Sequence, residues 1–176
     1  DFHNNVVYNW SFYSIYGGNH SDVNIINNYM KPGPGTRANK RSVIVEPGVL
    51  GSPSSWYVDG NHIDGSPNVT ENNHLGIKNI VHDAIILEEP VLFPGSKSMN
   101  PQPATEAYHE VIAKAGAILP KRDAVDARII NEIINGKGRF INNEAEVGGY
   151  PILKSATAPI DTDQDGIPDV WEKTNQ

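Results

Sequence analysis

The sequence predicts a mainly β chain that leads into a helical segment and ends in a calcium-binding tail. Three observations carry that prediction. Asparagine-centred strand motifs recur in the first third, two amphipathic helical stretches follow residue 103, and the last residues fit an acidic calcium loop. The expected divisions are 1–102 for coils and extended segments, 103–153 for a helical cap packed on them, and 154–176 for the tail.

The strand motifs are Phe2-His-Asn4-Asn5-Val6-Val7, Ile25-Ile26-Asn27-Asn28-Tyr29-Met30 and Val58-Asp-Gly60-Asn61-His62-Ile63. They align on Asn5, Asn28 and Asn61, with spacings of 23 and 33 residues. A period in the low twenties with short strands suits a solenoid, in which each coil buries its inward apolar side chains on the coil below. Asn at a bend tolerates left-handed backbone angles and can bond the Asn stacked beneath it. Spacing alone fits an ordinary β meander with Asn-rich turns equally well.

Residues 31–41, Lys31-Pro-Gly-Pro-Gly-Thr-Arg37-Ala-Asn-Lys40-Arg41, form a loop with four positive charges and no negative ones. On a chain of net charge −7, such a local patch is a candidate contact for a polyanion, although loops of this kind are commonly just solvated. Residues 76–103 read as extended and irregular, with Pro90, Pro94, Pro101 and Pro103 breaking any helix. The apolar residues from Val81 to Phe93 are expected to lie along the main body. A helix is expected from about Ala104 to Ala115, ending near Gly116. A second begins at the N-cap Asp123, carries the stripe Val125, Ile129, Ile130, Ile133 and Ile134, and stops at Gly136. Phe140 to Leu153 reads as a strand or loop hugging the surface.

The tail, Asp161-Thr-Asp163-Gln-Asp165-Gly166-Ile167-Pro-Asp169-Val-Trp171-Glu172, meets every specified position of the twelve-position EF-hand-like calcium loop. Calcium is a hard cation that takes oxygen ligands. Asp161, Asp163 and Asp165 supply carboxylates, Ile167 a backbone carbonyl, Glu172 both of its oxygens, and Asp169 an oxygen directly or through water. Residues 161–176 hold five acids against the single base Lys173, so the carboxylates repel one another without a counter-ion. Four residues follow Glu172, which the sequence reading takes as too few for an exiting helix, so the loop reads as a structural clip. Trp171 is expected to pack the tail onto the body.

Composition narrows the function classes. The chain has no cysteine, which excludes a disulfide scaffold and thiol catalysis. No stretch approaches the apolar length of a membrane span. His3, His20, His62, His74, His82 and His109 have no spacing for zinc and are expected at surface or turn positions. No phosphate loop, nucleophile elbow or nucleic-acid signature is present. Calcium loops of the weaker kind suit extracellular calcium concentrations. The chain begins with Asp rather than Met and is expected to be a processed product or a piece of something longer.

Several motifs together resemble the later coils of bacterial pectate lyases of polysaccharide lyase family 1. They are Phe2-x-Asn4-Asn5-Val6-Val7-Tyr8-Asn9-Trp10, Tyr16-Gly17-Gly18 and Val23-Asn24-Ile25-Ile26-Asn27-Asn28-Tyr29-x-Lys31-Pro32-Gly33-Pro34. Asp123-Ala-Val125-Asp126-x-Arg128, Glu146-Val147-Gly148-Gly149-Tyr150-Pro151 and Asp169-Val-Trp171-Glu172 extend the resemblance to the other end, while residues 42–102 match loosely. It implies a right-handed parallel β-helix and calcium-dependent β-elimination of an acidic polysaccharide such as polygalacturonate, in a secreted or cell-surface bacterial protein. In that chemistry an arginine removes the C5 proton and the C4–O bond breaks. The carbon acid is weak, so charge must be delocalised by a metal beside a well-placed base.

In the family, the catalytic arginines and calcium-binding acids precede the Asn-Asn-Val segment. The catalytic base is therefore expected upstream, and no residue of this chain is assigned to it. Tyr16, Lys31, Arg37, Lys40 and Arg41 are the expected substrate contacts. Arg122 and Arg128 are expected in structural ion pairs. An open coil edge templates aggregation, so the upstream half or another chain is expected to cover it. The alternative reading is a non-catalytic, calcium-stabilised module that binds acidic glycans.

Overall fold

The Asn-centred motifs become the rungs of three parallel sheets. The structure is a computed structural model and describes residues 1–48, 50–80, 83–94, 102–152 and 154–175. Val81, His82, Pro101 and Leu153, which figured in the sequence expectations, lie outside these.

The first coil carries β1 (Phe2–His3), β2 (Val6–Tyr8) and β3 (Tyr16–Gly17). The second carries β4 (Asp22–Ile26), β5 (Tyr29–Lys31) and β6 (Glu46–Pro47). The third carries β7 (Ser54–Asp59) and β8 (His62–Ile63), and β9 (Ala84–Ile86) opens a further turn. The sheets run β1-β4-β7-β9, β2-β5-β8 and β3-β6, and every pairing is parallel. Phe2 pairs with Ile25, and Ile25 with Val58, so the three predicted inward positions are neighbours in successive layers. This arrangement is β-helix-like and excludes an antiparallel meander, because parallel neighbours require the chain to travel round before each new pairing.

Ile25, Met30, Ile44, Val45, Trp56, Val58 and Ile63 form the buried centre. Each fully buried aliphatic of this kind stabilises by roughly 1.5–3 kcal/mol. The Trp56 indole donates to Ser54 Oγ at 2.9 Å, which satisfies the polar atom of the largest buried side chain.

The doubled asparagines divide their labour. Asn4 and Asn27 take left-handed angles (φ 53° each), and Gly60 takes the equivalent place at φ 67°. The following residues, Asn5, Asn28 and Asn61, make the ladder. The backbone N–H and side-chain amide of Asn5 both donate to Asn28 Oδ1, at 3.0 and 3.1 Å. Asn28 donates in the same two ways to Asn61 Oδ1, both at 2.9 Å. Asn61 donates likewise to Asn73 Oδ1, at 2.8 and 2.9 Å. Asn73 reaches this position only 12 residues after Asn61, from the start of a 3-10 turn, Asn73–Gly76, that follows the short helix α1 (Pro67–Glu71).

The helical segment lies against the β2-β5-β8 side. Helix α2 (Ala104–Lys114) buries Ala104 and Ala107, and Tyr108 meets Tyr29 of β5 with ring centroids 4.4 Å apart. The side chains of Asn4 and Asn27 both donate to Gln102 O, just before this helix. Helix α3 (Ala124–Asn135) is capped by Asp123, which accepts from Val125 N and Asp126 N at 2.9 Å. It ends on Gly136 at φ 62°, where a left-handed C-cap favours glycine.

Several details differ from the sequence reading. Of the strand or loop expected over Phe140 to Leu153, the described residues form a loop, which contains a 3-10 turn, Glu144–Val147. A helix does follow the acidic loop. It is α4 (Asp169–Asn175), and it starts inside the loop, so few residues are needed after Glu172. Pro168 serves its first turn, accepting from Trp171 N and Glu172 N. Trp171 is 57% exposed and does not pack the tail onto the body. His3 and His62 lie on strands rather than turns, and the His62 ring stacks on Tyr29 at 4.6 Å.

Candidate metal centre and aromatic-basic face

Short-range hydrogen bonds fold the acidic tail around Asp161. Its carboxylate accepts from Gln164 N at 2.8 Å and Gly166 N at 3.0 Å. These bonds require a tight reversal, which Gln164 (φ 60°) and Gly166 (φ 93°) supply in the left-handed region. Asp165 accepts from Ile167 N at 2.8 Å. The result brings carboxylate oxygens of Asp161, Asp163 and Asp165 within 4.8 Å of one another.

No base pairs with these three acids among the described residues. All the donors are hard oxygens, and with three negative charges at close range the set fits a hard cation such as calcium. Among the described residues the Asp163 carboxylate makes no hydrogen bond, so of the three it is the one most free to bind a metal.

Asp169 takes a different part. It accepts from Thr162 N and Thr162 Oγ1, both at 2.7 Å, while its N–H donates to Ile160 O at 2.9 Å. The Thr162 hydroxyl, then the Thr162 N–H and the Lys173 charge, hold its carboxyl below the usual range. Asp169 thus braces the two ends of the loop. Glu172 lies with Asp163, Asp169 and Lys173 around an open hollow beside the trio. Neither Asp169 nor Glu172 joins the three-carboxylate cluster.

The second candidate surface is built where the loop after β2 meets the loop after β5. Four bases were expected to contact substrate there, and each has different partners in the structure. Lys31 donates to Ile134 O at 3.1 Å and lies 5.7 Å from the Tyr108 ring, so it ties β5 to the helical segment. Arg41 donates to Gly33 O at 3.0 Å and closes its own loop. Lys40 is paired with Glu46, whose other oxygen accepts from Asn79. Arg37 is exposed, with its guanidinium 3.6 Å from the centroid of Phe12.

Tyr16 does belong to a cluster, and its partners were not foreseen. Tyr13 lies 4.7 Å from Tyr16 and 6.4 Å from Phe12, centroid to centroid, with Lys40 Nζ 5.1 Å over the Tyr13 ring. The three rings are 47%, 47% and 67% exposed for Phe12, Tyr13 and Tyr16. The Phe12-Tyr13-x-x-Tyr16 spacing in a polar stretch was the available signal. Nothing in the sequence marked Glu46, which register sets beside Tyr16. Arg128 does form the expected structural pair, with Glu132 at 2.9 Å, whereas Arg122 donates to backbone carbonyls of Ala115 and Ile112.

Comparison with known proteins adds what the geometry alone does not. No family model matches the chain. Curated fungal proteins do. A probable pectate lyase C of Aspergillus flavus is 33% identical over 178 residues, covering 96% of this chain and 40% of the relative. The chain is similar to pectate lyases in sequence. A probable pectate lyase C of Neosartorya fischeri is 34% identical over 183 residues, covering 98% and 41%. One from Emericella nidulans is 32% identical, covering 96% and 39%. The chain therefore spans about two fifths of the length of the pectate lyases it matches. The bacterial assignment finds no support here, since these pectate lyases are fungal.

Proposed function

We propose that this chain is part of a secreted, calcium-dependent polysaccharide lyase that cleaves pectate or a related acidic polysaccharide by β-elimination. It contributes late coils of a right-handed parallel β-helix, a helical cap over 103–153 and a calcium clip over 154–176. The observation that carries the reading is the similarity of nearly the whole chain to proteins named pectate lyase. The parallel coils support it, because stacked strands joined by loops of adjustable length are suited to an extended polymer.

The base that removes the C5 proton is assigned to residues upstream of this chain. The work left to these residues is to bind and orient. Tyr16 and Arg37, with Lys40 held nearby by Glu46, are the contacts best placed for substrate. Lys31 and Arg41 support the surface through their internal partners. Asp161, Asp163 and Asp165 hold the calcium, with Ile167, Asp169 and Glu172 completing or bracing the shell. Calcium, when bound, supplies the positive charge that draws these carboxylates together, and this clip is separate from the catalytic ion. β1, β2 and β3 are all edge strands on the same side of their sheets, which supports an upstream portion, or another chain, stacked there.

The test is formation of unsaturated uronate, followed by its ultraviolet absorbance, from polygalacturonate with the full-length protein. Absence of product with calcium present removes the lyase reading. A non-catalytic glycan-binding module is the second reading. The exposed rings beside Arg37 favour it, since they provide a binding surface that needs no upstream catalytic group. Binding without product formation selects it.

A further inference from the structure

We propose that Phe12, Tyr13 and Tyr16 form a platform that stacks on the pyranose faces of the polysaccharide, with Arg37 set to pair with one uronate carboxylate; this rests on the acidic-polysaccharide reading above. The three rings lie outside the buried centre. They form a continuous row, with successive rings inclined by 32° and 33°. Aromatic side chains that stay 47–67% exposed and gather in one place form an apolar patch of the kind that marks a binding surface. The C–H faces of a sugar ring are apolar, so a row of aromatic faces is the complementary chemistry.

The charges around the row decide what kind of sugar it takes. Of the four bases on the loop, Lys31, Lys40 and Arg41 are engaged by Ile134 O, Glu46 and Gly33 O. No carboxylate pairs with Arg37 among the described residues, and its guanidinium carbon lies 3.6 Å from the Phe12 centroid, which sets a cation rich in N–H donors beside the row. The surface therefore offers several ring faces and one available charge. Glu46 acts as a positioning residue, because it fixes Lys40 beside Tyr13 and keeps that ammonium from competing as a mobile site. Recognition should rest mainly on ring contact, with a single carboxylate adding to it. Removing substrate charge by esterification should then weaken binding without abolishing it.

The test is isothermal titration of the full-length protein with oligogalacturonides of matched length, one free and one methyl-esterified. Tyr13→Ala and Tyr16→Ala are each expected to weaken both ligands by about tenfold. Arg37→Gln is expected to weaken the free acid by about tenfold and leave the ester unchanged. Tyr13→Phe keeps the ring and should bind like the parent, which controls for a folding defect. The proposal is overturned if both tyrosine variants keep parental affinity, if the parent binds neither ligand, or if the tyrosine losses fall only on the free acid. The lyase reading is judged separately by product formation. Ring-dependent binding with no product keeps the platform and removes the lyase. Product at parental KM in both tyrosine variants does the reverse.

Discussion

Replacing Asn28 with alanine should remove most of the stability that couples the first two coils. Asn28 is fully buried, and its amide makes four hydrogen bonds. It accepts from Asn5 N at 3.0 Å and Asn5 Nδ2 at 3.1 Å. It donates to Phe2 O and Asn61 Oδ1, each at 2.9 Å. At a net contribution of about 1 kcal/mol per bond, Asn28→Ala should cost about 4 kcal/mol, and more where Phe2 O is left buried without a donor. That is a large share of the roughly 5–15 kcal/mol that holds a domain folded. Urea unfolding should show a lower midpoint with an unchanged slope. Asn135→Ala, at the exposed end of α3, serves as the comparison and should shift stability by less than about 0.5 kcal/mol. A loss below about 1 kcal/mol for Asn28→Ala would refute the view that the ladder is a main tie between coils.

Further expectations concern the tail, the coil bends and alkaline pH. Asp163→Ala should abolish any rise in Tm produced by calcium while leaving Tm in chelator unchanged, because the Asp163 carboxylate makes no hydrogen bond among the described residues; a calcium-independent drop would count against its role as a ligand. Asp161→Ala should lower Tm in both conditions, since it also removes the bonds to Gln164 N and Gly166 N. Gly60→Ala should destabilise by more than about 2 kcal/mol in urea unfolding, combining left-handed strain with a collision. The new Cβ would lie 1.8 Å from Asn27 Oδ1 at φ +67°. Tyr29 is pushed up to about 12 from 10.0, by burial first and then by the Asp64 charge and Tyr108. The unfolded chain releases this proton first, so the stability tied to Tyr29 is intact below about pH 10 and is lost as pH rises towards 12. Tyr29→Phe should flatten the alkaline limb of a Tm-versus-pH curve, and an unchanged limb would assign it to other groups.

The sequence carried the coils because their signal is local and repeated. Asn5, Asn28 and Asn61 each lie three residues after an inward apolar position, and aligning on them reproduced the register of Phe2, Ile25 and Val58. The helices were legible for a similar reason, since Asp123 and Gly136 act within a turn of their own positions. The ladder's last member was hidden, because Asn73 arrives after 12 residues from a helical turn and breaks the period. The fate of the basic loop was hidden too. Lys31 finds its acceptor at Ile134, 103 residues away, and no local pattern announces a bond at that range. Residue type identified Lys31 and Arg41 as charges but could not show that those charges were already engaged. In the tail, the acids were plain from spacing. The division between Asp161, Asp163 and Asp165 as a cluster and Asp169 as a brace emerged only from the fold of the loop.

The two complete coils differ in length on one flank far more than on the others. Seven residues (9–15) separate Tyr8 from Tyr16, while fourteen (32–45) separate their partners Lys31 and Glu46. Between Gly17 and Asp22 there are four (18–21), against seven (48–54) between their partners Pro47 and Ser55. The asparagine column and the strands keep step, so the scaffold absorbs added length between strands without any slip in register. An engineer could graft a foreign peptide at the exposed Ala38 and Asn39 and expect the rungs above and below to stay where they are.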